Sequence, residues 1–349
     1  MQVLHEDASY KITVENKLRR GAVELLRSTI WGTNGPLYQH IDAPEKIKNI
    51  IRPLSFTIEQ QEKTIGTCTF LERDIRVENK IYKAWYSRYF SIAPENQGRI
   101  FGNLLLKNIK NYFEQITTLP TIFYGYVDKA NIRSYKLLRH TGLEIIRNFE
   151  IFVFSRIFPK ADERVTRIKE EDKLEILRLL QEQYMDYSFV NLEPLFLQNN
   201  YFVLKNNNEI SAGIRANVVK WKIHHLPGLS GKMMIQILPY IPFLSRIFNP
   251  KDFCFIAFEG IYCKPGYEKD LFVLMESVCA QLKLYTGMIW TDPESELHNR
   301  IKEAGNWGIM NKLKDNVPVY VVAAFRNIPK EEQKKIHERP VYISAFDLT

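Results

Sequence analysis

Ser91-Ile92-Ala93-Pro94-Glu95-Asn96-Gln97-Gly98-Arg99-Ile100-Phe101-Gly102-Asn103-Leu104-Leu105-Leu106 is the stretch on which the fold turns. A strand ending at a proline passes into a loop with two glycines and then into a helix whose Leu105, Ile109, Tyr112 and Phe113 share one face. Backbone N–H groups at such a strand–loop–helix junction surround an anion, and the helix dipole favours negative charge there. A phosphate-bearing ligand is the first expectation.

Outward from this loop, the preceding chain predicts a helix over 17–30, stopped by Trp31-Gly32-Thr33-Asn34-Gly35-Pro36. Hairpin strands over 54–59 and 64–72 and an aromatic-rich strand over 81–93 follow. Beyond it the pattern predicts a helix over 102–113, a strand over 121–127, a helix over 132–140 ended by Gly142, and a closing strand over 150–157. The polar, proline-containing segment 158–164 marks a boundary, after which the order of elements starts again: helix 170–184, hairpin 201–205 and 209–219, strand 253–263, a loop at Pro265, helix 271–284. This recurrence predicts two domains, 1–157 and 158–349, of duplicated architecture. The apolar, proline-punctuated stretch 225–250 interrupts the second copy, and a cap over the domain interface is favoured over a membrane- or acyl-contacting segment.

The bulk properties agree with 349 residues arranged as two domains of ordinary size. Apolar runs are too short for a spanning helix, and the N-terminus has neither the basic start nor the apolar run of a secretory signal, so a cytoplasmic protein is expected. Four cysteines without a Cys-x-x-Cys pair predict reduced core thiols, and His224-His225 on a strand point to opposite faces, so no metal is expected. The net charge of +8 lies wholly in residues 1–160, which hold 24 basic against 16 acidic side chains. Scattered rather than clustered, these charges fit a highly phosphorylated cofactor better than a nucleic acid.

Pro94, the loop Gln97-Gly98-Arg99-Ile100-Phe101-Gly102, and then Asn131, Ser134, Leu138 and Gly142-Leu143 together resemble the two signature motifs of the GNAT superfamily of acyl-CoA-dependent N-acyltransferases. The resemblance covers most of residues 10–157. It implies an α/β protein of two tandem GNAT-like domains, each a mixed, mostly antiparallel central sheet flanked by helices. It further implies acetyl-CoA, or another acyl-CoA, as co-substrate: Gln97, Gly98, Arg99, Ile100, Phe101 and Gly102 on the pyrophosphate, Ser91 and Ile92 beside the pantetheine arm, Asn131 and Ser134 facing the cofactor. The implied reaction is acyl transfer to a primary amine of a small molecule, peptide or protein.

Two positions depart from the family pattern: Ile100 stands at its central glycine, and Leu138 where many members carry a tyrosine that protonates the thiolate. Candidates for proton transfer near the expected strand splay are Tyr126, Tyr135 and Glu72, with Tyr86, Tyr89 and Tyr124 behind them and Tyr126 preferred. In the second half, aligning Pro265 with Pro94 puts Glu268 at Gln97, Lys269 at Gly98 and Val273 at Gly102, a loop that would repel a pyrophosphate. Only the first copy is therefore expected to bind the cofactor. A non-catalytic CoA-binding or protein-interaction module and an amino-acid-loading transferase contacting tRNA are the competing expectations.

Overall fold

The computed structural model describes residues 1–132, 134, 136, 141–314 and 318–345. Its strands are β1 (Gln2–Glu6), β2 (Lys11–Glu15), β3 (Leu37–His40), β4 (Pro53–Gln60), β5 (Lys63–Val77), β6 (Lys80–Ile92), β7 (Thr121–Asp128), β8 (Glu144–Ser155), β9 (Val165–Arg167), β10 (Tyr201–Asn206), β11 (Glu209–His225), β12 (Phe253–Cys263), β13 (Thr286–Thr291) and β14 (Val319–Arg326). They form one sheet in the order β1-β2-β4-β5-β6-β7-β14-β8-β13-β12-β11-β10-β9, with β3 added on β11. Among the described residues only β6–β7 and β12–β13 pair in parallel.

Both parallel pairs are brief. The β6–β7 ladder ends at Tyr86↔Tyr124, although β6 runs on to Ile92 and β7 to Asp128, so the strands separate. The β12–β13 ladder ends likewise at Phe258↔Ile289. Each first strand carries an irregularity just past the split: the β5–β6 register shifts between Thr67 and Thr69, with Tyr89 at φ +58, and the β11–β12 register shifts opposite Gly260 at φ +56. An extra residue in one strand bends it and strengthens its twist, which drives the pair apart. Tyr89 precedes Pro94, and Gly260 precedes Pro265, by the same five residues. The duplicated architecture is therefore present down to these irregularities.

The halves are woven together rather than abutted. Residues Glu144–Phe149 of β8 pair with β14, whereas Glu150–Ser155 pair with β13, and β14 lies between β7 and β8. The expected division after residue 157 thus falls next to a strand shared by both halves. β8 starts six residues before the expected closing strand and closes on β14 from the chain's far end, a partner that local patterning does not reveal.

The helix Phe101–Ile116 buries Phe101, Leu105, Ile109 and Phe113, every fourth residue, against the first half of the sheet. Phe113 meets Phe70 and Phe123 at ring-centroid distances of 4.8 and 4.9 Å. In the second half the helix Glu268–Leu282 buries Leu271, Leu274, Met275 and Val278, and Lys283 at φ +56 ends it. A third core, including Tyr86, Tyr124, Phe149, Phe255 and Trp290, lies between the halves.

Candidate functional site

The loop after β6 begins with a single helical turn, Pro94–Asn96, and the long helix starts at Phe101. Its first internal bond runs from the N–H of Leu104 to the carbonyl of Ile100, so the first-turn N–H groups project beyond the helix end. No side chain caps this end, and no acidic residue occupies its first turn. Gly98 has φ +76, and a Cβ there would meet nothing within 4 Å, so its glycine serves backbone conformation. Gly102 differs: a Cβ would sit at ordinary distances of 3.8 and 3.9 Å from Phe90 and Ile92. The protein alone would admit a small side chain at 102. Ile100 is helical, with φ −68, and its side chain is 62% exposed, so the departure from the family glycine demands no unusual backbone.

Between the separating strands lies a cavity of about 250 Å³, lined in part by Trp31, Ser87, Tyr126, Asp128, Asn131 and Ser134. The Trp31 indole N–H is buried with no acceptor among the described residues, the kind of orphan that a bound ligand satisfies. Ser91 is buried and its hydroxyl pairs with that of Thr29 at 2.8 Å; Ile92 receives the Gln97 side-chain amide on its carbonyl at 3.0 Å. Arg99 is exposed beside the loop. Asn131 accepts the N–H of Ser134 on Oδ1 at 3.1 Å, capping the turn that follows. Tyr135 and Leu138 lie outside the described residues.

Tyr126 stands where the cavity meets a second one. Its ring contacts Tyr86 and Phe149 at 5.4 and 5.3 Å. The second cavity, about 280 Å³, is predominantly apolar, lined by side chains such as Phe149, Met234, Phe253 and Trp290, and it shares Tyr38, Tyr126 and Asp128 with the first. Glu72 is placed elsewhere. It lines a third cavity of about 470 Å³ with Lys46, Arg52 and Arg73, and stands 4.0 Å from Lys83. The structure does not bring it together with Tyr126.

Asp128 is the residue that reading the sequence missed. Its Oδ1 accepts the N–H of Ala130 at 2.7 Å, and its backbone carbonyl accepts the N–H of Asn131. Burial raises its pKa, with the bond from Ala130 opposing the shift. Nearby, burial together with the Asp128 charge pushes the Tyr38 phenol up to about 12. Burial, with Arg88 and Lys46 alongside, pushes His40 down to about 3, so this histidine is neutral near pH 7 and cannot take up a proton there. The sequence held one usable signal, a carboxylate at a strand end three residues before Asn131.

The second copy shows the same turn put to structural use. Asp292 accepts the N–H of Glu294 on Oδ1, and Ser295 caps the next helix by accepting from His298. Thus Ser295, three residues after Asp292, does here what Asn131 does three residues after Asp128. The other oxygen of Asp292 receives the N–H of Val341, and residues 341–343 help fill the β12–β13 split, leaving only about 20 Å³. At the loop, Glu268 accepts the N–H of Gly266 and the Arg300 Nε, the latter at 2.7 Å. A carboxylate of the protein occupies the position expected of an anion. Among the described residues, no cluster of three His, Cys, Asp or Glu side chains could hold a metal ion.

A split parallel pair, a bulge just past the split and a helix N-terminus beside it, repeated twice in one sheet, give the fold of the GCN5-related N-acyltransferases in a two-lobed tandem form. The structure is similar to N-myristoyltransferase of Saccharomyces cerevisiae with bound myristoyl-CoA: TM-score 0.61, 9% identity, 98% of this chain and 91% of that one covered. It is also similar to a GCN5-related glucosamine N-acetyltransferase region of a fungal multi-domain β-N-acetylglucosaminidase, with TM-score 0.54, 11% identity, and 89% and 38% covered. A GCN5-related N-acetyltransferase from Anabaena variabilis aligns with TM-score 0.50, 10% identity, and 89% and 72% covered. No family model and no curated protein matches by sequence.

Proposed function

We propose that the first half binds an acyl-CoA in the β6–β7 split and transfers its acyl group to a primary amine. The observation that carries this reading is the junction of the two cavities at Tyr126 and Asp128, beside an uncapped helix N-terminus free of acidic residues. The loop N–H groups from Gly98 to Gly102 take the pyrophosphate, and the pantetheine arm lies along β6 past Ile92 and Ser91. Asn131 and Ser134 border the cofactor from the other side.

In the reaction a neutral amine attacks the thioester carbonyl, and Asp128 Oδ2 accepts the proton that the nitrogen loses. The C–S bond then breaks, with the electron pair leaving on sulfur. The Tyr126 hydroxyl protonates the departing thiolate, giving amide and free CoA thiol, and the proton held by Asp128 then passes through solvent to the tyrosinate, restoring both groups. Acetyl-CoA is the proposed donor, in which case the apolar cavity holds the apolar part of the acceptor. A longer acyl chain would fill that cavity itself.

The test is release of free CoA thiol from acetyl-, octanoyl- and myristoyl-CoA over a panel of small-molecule and peptide amines. Amine-dependent release supports transfer, and its distribution over the donors assigns the cavity. Binding of every donor without release under any amine would establish a CoA-binding module instead.

A further inference from the structure

The segment between β11 and β12 has two apolar faces but only one core to bury them in. Its inner side, with Met234, Leu238, Ile247 and Phe248, packs into the core between the halves and closes the apolar cavity. Its outer side is the unusual one. The helix Gly228–Gln236 exposes Leu229 and Met233, one turn apart, and Ile237, Tyr240 and Phe243 continue the surface, with Leu229 86% and Tyr240 82% exposed. Phe158, itself exposed, packs its ring at a tilt against that of Phe243, the centroids 5.4 Å apart. Single exposed apolar residues are ordinary, but a run of large ones along one short segment marks a surface that meets something apolar.

Phe243 adds an independent sign. It has φ +68, a conformation that costs a bulky residue energy, yet its ring stays half-exposed and outside the cores. Charge selects the occupant. From Ile210 to Lys251 the chain has no acidic residue, and exposed Lys232, Arg246 and Lys251 are interleaved with the apolar side chains. Aromatic and aliphatic tips among lysines and arginines match the boundary between acyl chains and anionic headgroups.

We infer that this outer face docks the protein on an anionic membrane surface. Leu229, Ile237, Tyr240 and Phe243 enter the headgroup region, while Lys232 and Arg246 pair with lipid phosphates. No helix of the described residues is long and apolar enough to cross a membrane, so the contact is peripheral. Docking sets the apolar cavity about one helix diameter, ~10 Å, from the lipid. The inference does not depend on the proposed acyl transfer.

Vesicle co-sedimentation of the full chain tests it, using phosphatidylcholine alone and phosphatidylcholine with about 30% phosphatidylglycerol, at about 0.1 and 0.5 M salt. Binding is expected only with the anionic lipid. It should fall at least ~10-fold in Leu229→Ser/Tyr240→Ser/Phe243→Ser, and similarly in Lys232→Glu/Arg246→Glu. Because these side chains are exposed, circular dichroism should show both variants folded. Failure of the wild type to bind anionic vesicles, or binding that neither variant weakens, would overturn the inference. Self-association of the wild type that the triple variant abolishes would overturn it in favour of a second copy on this face.

Discussion

Replacing Asp128 by Asn separates the two tasks that one side chain performs. The turn-forming task needs only an oxygen at Oδ1 to accept from Ala130, now at 2.7 Å, and asparagine supplies one. The proposed chemical task needs a group that can take a proton, which asparagine cannot do. The account therefore predicts loss of ~10²–10⁴-fold in kcat/KM with acyl-CoA binding retained. Stability moves independently. Burial raises the folded-state pKa of Asp128, so the native state holds its proton to a higher pH than the unfolded chain does. Stability associated with this group declines as pH rises from the unfolded value of 3.8 through the raised folded value, and the neutral amide escapes that penalty. At pH 7 the variant should melt at or above the wild-type temperature. The assay is thiol release across pH: the wild-type rate climbs on the acid side through the raised pKa, and this limb vanishes in Asp128→Asn. An unchanged rate, or the same acid limb in the variant, would refute the assignment.

Gly102→Glu, which the protein alone has room near Phe90 and Ile92 to begin accommodating, should leave the fold intact and place a like charge before the phosphates. The ~2.7 kcal/mol stabilisation expected from ligand at a hundred times its Kd should disappear from thermal unfolding with CoA. Glu268→Ala in the second copy should leave thiol release unchanged while lowering stability by ~1–3 kcal/mol, measured by denaturant unfolding, because it removes the acceptor of the Arg300 Nε and the Gly266 N–H. Burial alone would raise Glu268, but Arg300 and its own loop's N–H groups outweigh it and hold the carboxyl low; stability from this group is present above the ordinary value of 4.5 and lost as pH falls through the depressed one. Glu259→Ala should cost ~3–5 kcal/mol in the same measurement, since Glu259 and Arg215 form a fully buried pair at 2.8 Å and the guanidinium would remain without its carboxylate.

What the sequence disclosed was local. The strand entering Pro94, the helix with Leu105, Ile109 and Phe113 on one face, and the Gln60–Lys63 hairpin all follow from short-range rules. In that hairpin Gln61 and Glu62 take the positive φ values a tight turn requires. The aligned prolines, Pro94 and Pro265, carried the duplication even where residue identity was gone. Pairing between distant strands was not legible: nothing near Val319–Arg326 indicates that it separates β7 from β8, because both of its neighbours lie more than a hundred residues earlier. The site divided along the same line. The phosphate loop is contiguous and could be read, whereas Asp128 gains its meaning from Tyr38, about ninety residues earlier, which only the folded chain brings beside it. Glu72 illustrates the converse, since a carboxylate at the expected distance along the chain lines a different cavity once β5 is paired.

The central claim is that the first copy alone holds an acyl-CoA in its split strand pair. A crystal structure of the full chain with CoA tests it most directly. The account predicts pyrophosphate on the N–H groups of Gly98 to Gly102 and pantetheine between β6 and β7. CoA at the Pro265 loop, or anywhere outside the β6–β7 split, would contradict it.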